Sequence, residues 1–138
     1  WNSHWNHFSQ GVLKVIHLAG QGKKLAGEVA RYAKTQSAPH RLLPLSEKLK
    51  EIDRQLVITA HKYPDLYPLV SFFTFSKESL VGDKVESLAR STQHLYYTLI
   101  HQARSLLQVI KSILQSWEVF EVSISKEEEQ SLWTPTLP

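Results

Sequence analysis

"WNSHWNHFSQGVLKVIHLAGQGKKLAGEVARYA", residues 1–33, is the stretch that decides the fold. Steps of four and three from the first residue meet Trp1, Trp5, Phe8, Val12, Val15, Ala19, Gly22, Ala26, Val29 and Ala33. That spacing lays one apolar stripe along a helix. Gly20 and Gly22 each weaken a helix by about 1 kcal/mol relative to Ala. The register nonetheless runs through both, which predicts one long helix rather than two. Its seam tapers from aromatic to small, so neighbours approach most closely near Gly22 and Ala26.

Pro39 interrupts this pattern, and Leu42, Leu45, Leu49, Ile52, Leu56, Thr59 and Tyr63 resume it as a second helix with Pro44 in its first turn. Pro64 and Pro68 then remove two backbone donors in close succession and predict a kink or short break. The apolar "VSFFTF" that follows has no strand partner, so it reads as an irregular or short helical segment. Asp83 and Glu86 resemble a capping box opening a third helix. Its register runs from Val85 through Leu88, Thr92, Leu95, Leu99, Gln102, Leu106, Val109, Ile113, Ser116 and Phe120, with a second apolar line at Ala89, Tyr96, Ala103, Ile110, Trp117 and Ile124. The expected fold is all-α. It is an elongated antiparallel bundle of three long helices with a Pro-kinked middle one, or four helices if the kinked segment counts separately. Residues 1–125 form the bundle and residues 126–138 an acidic, proline-containing tail.

The 138-residue chain has no cysteine, which excludes disulfides, thiolate metal sites and thiol nucleophiles. Its longest apolar runs fall far short of the roughly 20 residues of a membrane span, and no signal peptide is visible. A chain opening on Trp and lacking methionine is expected to be a piece of a larger, cytoplasmic protein. The net charge of +3 conceals an asymmetry: residues 1–117 carry +7 and residues 118–138 carry −4.

Few constellations for chemistry exist. "AGQGKK" (19–24) lacks the spacing and the leading strand of a phosphate-binding loop. His94 and His101 lie about 10 Å apart along a helix, too far to share one metal ion, and His4 and His7 have no carboxylate nearby. No serine sits in a nucleophile elbow, and Glu47, Glu51 and Asp53 alternate with Lys48, Lys50 and Arg54 as on a solvated face. The chain therefore reads as non-catalytic, with no cofactor, metal or small-molecule substrate.

One feature stands out. Residues 87–117 contain no acid, and along them Arg90, His94, Tyr97, His101, Arg104 and Lys111 share a face. Residues 1–27 are also free of acid, and the first helix carries a matching line of Gln10, Lys14, His17, Gln21, Lys24, Glu28 and Arg31. Either these charges merely solubilise two helix faces, or the faces together form a basic groove for an acidic partner.

The line Leu99, Ala103, Leu106, Leu107, Ile110, Ile113 and Leu114 resembles the amphipathic helices of talin-type bundles that vinculin recognises. That helix pattern usually has small residues where Gln102 and Trp117 stand, and over most of residues 3–123 the long Ser/Gln-rich helices resemble vinculin, α-catenin and spectrin-type bundles more broadly, on their heptads. It implies a cytoskeletal or adhesion scaffold.

The resulting expectation is a scaffold or adaptor module that binds an acidic peptide or helix through the basic faces of helices one and three. An anionic-surface binder, for phosphoinositide membranes or nucleic acid, is the alternative. Glu127, Glu128 and Glu129 beside Leu132 and Trp133 add the expectation of an intramolecular tail contact, against a plain linker.

Overall fold

The computed structural model describes residues 2–35, 39–76 and 84–116. The expected tail contact, the Asp83 half of the capping box and the helix residues from Trp117 onward lie outside them. Four helices are present among the described residues: α1 (Asn2–Lys34), α2 (Pro39–Lys62), α3 (Tyr67–Ser76) and α4 (Val85–Ser116). No described helix is long and apolar enough to cross a membrane.

α1 runs unbroken through both central glycines, and Phe8, Val12, Val15, Ala19, Ala26 and Val29 of its heptad line are buried. It packs against α2 and, over a larger interface, against α4, while α3 leans on both α2 and α4. Gly27 faces Gln93 and Gly22 faces Tyr96, so α1 and α4 run antiparallel. Buried hydroxyls inside these helices stay bonded: Ser9 donates to the Trp5 carbonyl at 2.9 Å and Thr59 to that of Gln55 at 2.8 Å.

The segment after α2 resolves the choice between three helices and four. Tyr63 N–H closes α2 on Thr59, and Pro64–Leu66 then form a 3-10 turn. Pro68 is the second residue of α3, where its missing N–H has no helical acceptor to leave empty. The two prolines thus end one helix and start another instead of kinking a single one. Pro44 also lies deeper than expected. Helix α2 starts at Pro39, so Pro44 is inside it, exposed, and deprives only a first-turn carbonyl of its donor.

In α4 the two apolar lines change rank. Ala89, Tyr96, Ala103 and Ile110 are all buried, whereas Gln102 and Val109 of the first register face solvent, Val109 at 55%. A straight helix drifts about 20° per heptad from a seven-residue repeat. That drift is common to both lines; Gln102 and Val109 are exposed because they lie about 100° around the helix from buried Ala103 and Ile110, whereas Thr92 and Leu99 of the same register stay buried.

Tyr96 occupies the centre. Its ring fills the space left by Gly22 of α1, a Cβ there would collide with it, and it lies 4.5 Å from the Phe73 ring of α3. Its hydroxyl reaches Asp53 of α2. Burial, then the Asp53 charge and the hydrogen bond, push the phenol far above its ordinary range, so it stays a neutral donor.

Candidate functional site at the α1–α4 seam

One residue beyond each member of the Gly22–Tyr96 pair stand Lys23 and Tyr97. The Lys23 ammonium lies over the Tyr97 ring, 5.1 Å from its centroid. A cation over an aromatic face gains about 0.5–2 kcal/mol, more as it is desolvated. Lys23 is only 4% exposed, which is unusual for a lysine. Burial first, and then the positive charge of Arg104, lower its pKa below the ordinary 10.5. Half-buried Arg104 is likewise lowered by burial, partly offset by Tyr97. Lys23 of α1 thus rests on a ring of α4 and feels the charge of Arg104 from that same helix.

The stripe residues distribute themselves around this point. His94 stacks near Tyr97, with ring centroids 6.3 Å apart, and Tyr97 is 45% exposed. His101 is exposed one turn further along α4, and Lys111 is half-buried two turns beyond Arg104. Arg90 is exposed and forms a 3.4 Å salt bridge with Glu86. That pair lines an open depression with Ser87, Ser91, His94 and Leu95, so the start of α4 is mixed in sign rather than basic.

On α1, Lys14, His17, Lys24 and Arg31 are all exposed. At 3.6 residues per turn, Lys24 and Arg31 sit about 80–100° around the helix from Lys23, forming an outer rim to the seam. His17, which approaches Gln21 at 3.2 Å, lies about 120° away. Lys14 lies about 180° away, on the far side of α1. The α1 line thus divides: Lys24 and Arg31 flank the seam, and Lys14 does not share it.

Two contributors were not legible in the pattern. Lys23 escaped because it is adjacent to the exposed line and lies on the buried side; a Lys following a seam glycine is its only signal. Asp53 looked like one of the solvated charges of α2, yet it receives Tyr96. The other acids of that helix behave as expected, with Glu47 bridged to Lys50 at 3.3 Å and Glu51 to Arg54 at 2.6 Å. Neither pair contains Lys14, Lys24 or Arg31. Among the described residues no three His, Asp or Glu side chains gather as a metal site would require.

Comparison with protein-family models, with curated proteins and with solved structures finds no match for this chain.

Proposed function

We propose that this bundle is a non-catalytic interaction module of scaffold or adaptor type, which binds an acidic helix or peptide along the α1–α4 seam. The observation that carries the reading is the Lys23–Tyr97 contact joining α1 to α4, with exposed Lys24 and Arg31 at its rim. An acidic helix laid along this seam would meet the exposed basic rim of Lys24 and Arg31. α4 supplies no carboxylate after Glu86 within its described length, so the anion comes from outside that helix. The proposed setting is cytoplasmic, since the fold holds together without the disulfides that oxidising compartments favour.

The test uses a synthetic amphipathic helix with glutamates along one face. Lys24→Glu with Arg31→Glu, both at exposed positions, should abolish its binding and leave the melting temperature unchanged. Unaltered binding by that double variant would remove the seam from consideration.

A further inference from the structure

We propose that the outward face of α2 is a self-association surface, on which a second copy of this chain docks antiparallel about a two-fold axis passing between Lys50 and Glu51. The face shares no residue with the α1–α4 seam, so the two readings stand or fall separately.

α2 turns Leu45, Leu49, Ile52 and Leu56 inward. On its opposite side Leu43, Glu47, Lys50, Glu51, Arg54 and Ile58 are all exposed, and at 100° per residue they lie within about 50° of one line. Forward from Leu43 the steps are four, three and four to Arg54; backward from Ile58 they are four, three and four to Glu47. That is the spacing with which one helix lies along another. Leu43 is 64% exposed and Ile58 45%, one at each end of the charged stretch. Single exposed apolar residues are ordinary on a protein surface. Here it is their position relative to the charges that matters.

The midpoint between Lys50 and Glu51 is also the midpoint of Glu47 and Arg54, and of Leu43 and Ile58. A two-fold axis there makes the face meet itself. Leu43 of each copy then lies on Ile58 of the other, Glu47 faces Arg54, and Lys50 faces Glu51. Other alignments lose this match. A parallel pairing sets Glu47 against Glu47 and Arg54 against Arg54. Sliding the second copy by one turn sets Leu43 beside Arg54 in one direction and Ile58 beside Glu47 in the other. The pattern therefore specifies one orientation and one register.

Within a single chain the same charges already pair, Lys50 with Glu47 at 3.3 Å and Arg54 with Glu51 at 2.6 Å. Docking adds to each a second neighbour of opposite sign. Isolated surface ion pairs contribute little, whereas several joined in a network contribute measurably. One helix laid on one helix is nonetheless a small interface of the transient class, so we expect a dissociation constant on the order of 100 μM.

Sedimentation equilibrium of the full 138-residue chain, over about 10 μM to 1 mM, provides the test. Wild type should pass from monomer to dimer and no further, since a two-fold contact is closed. Glu47→Arg and Arg54→Glu each set like charges together twice, and each should weaken dimerisation at least about tenfold. Mixing the two single variants should restore it, because each supplies the charges the other lacks, and so should both substitutions in one chain. Circular dichroism checks that the variants fold; if a charge reversal does not, Leu43→Ser is the replacement and should also weaken dimerisation. A wild type that stays monomeric at about 1 mM overturns the proposal. So does a dimer that either reversal or Leu43→Ser leaves intact, which would place the contact on another face. Folded single variants that lose dimerisation but do not regain it on mixing overturn it as well.

Discussion

The Tyr96 hydroxyl donates to Asp53 Oδ1 at 2.9 Å, tying the middle of α4 to the middle of α2. These two helices share only sparse contact otherwise, because α3 lies against both. A charge-assisted hydrogen bond of this kind contributes about 1.5–3 kcal/mol. Tyr96→Phe keeps the ring against Gly22 and Phe73 and removes only the O–H, so we expect a loss of about 2 kcal/mol by denaturant unfolding. Tyr96→Ala also empties the centre and should lose about 3–5 kcal/mol. A Tyr96→Phe protein as stable as wild type would show that the bond merely replaces one to water.

Two glycines two residues apart in α1 should respond in opposite directions to the same substitution. Gly20→Ala adds a methyl into open space and should stabilise the helix by up to about 1 kcal/mol. Gly22→Ala drives a methyl into the Tyr96 ring and should destabilise, by about 1–3 kcal/mol if the ring shifts to accommodate it. Thermal unfolding of the two variants side by side is the check, and a shared sign would contradict the packing described here.

Lys23 gives a pH signature. Its folded-state pKa is depressed below the 10.5 it has when exposed, by burial and by Arg104. Between those two values the unfolded chain binds more protons, so stability rises with pH through that interval and the penalty of charging is fully present below it. Lys23→Met removes the titrating group and should flatten this rise. Urea midpoints measured for both proteins up to the unfolded-state value provide the comparison.

Glu51 has the opposite linkage. Hydrogen bonds from Arg54, then Gln55, hold its carboxyl at about 2 against an ordinary 4.5. Its contribution is therefore complete above 4.5 and lost as pH falls toward 2. Solvent exposure of the pair makes the effect screenable: acid unfolding of wild type and Glu51→Gln should differ more in low salt than at 1 M. Curves that keep the same separation in both salts would show that the pairing is not a surface one.

Much of the fold was legible because helical burial follows simple spacing. Phe8, Val12 and Val15, like Leu45, Leu49 and Leu56, are buried where heptads place them. Gly22 was readable as a point of close approach, but what approaches is a ring rather than a backbone, which spacing cannot say. In α4 the ranking of its two apolar lines depended on how the helix is rotated against α1 and on α3 covering one flank. The seam was half visible: Tyr97 and Arg104 belonged to the basic line, whereas Lys23 hid behind it. Its role depends on the rotation of α1 against α4, a tertiary property that no single helix encodes.

The largest interface among the described helices, between α1 and α4, joins the two that are farthest apart in sequence. Closing it requires the intervening α2 and α3 to be threaded into place, and non-local closure slows folding. The α1–α2 hairpin can form early, but the Gly22 notch stays empty until Tyr96 arrives. Because α1 and α4 are antiparallel, the start of the first lies beside the end of the second. A circular permutant that joins these two ends and opens the chain between α1 and α2 would make the dominant interface a local hairpin. It should fold markedly faster at nearly unchanged stability, which stopped-flow refolding would reveal.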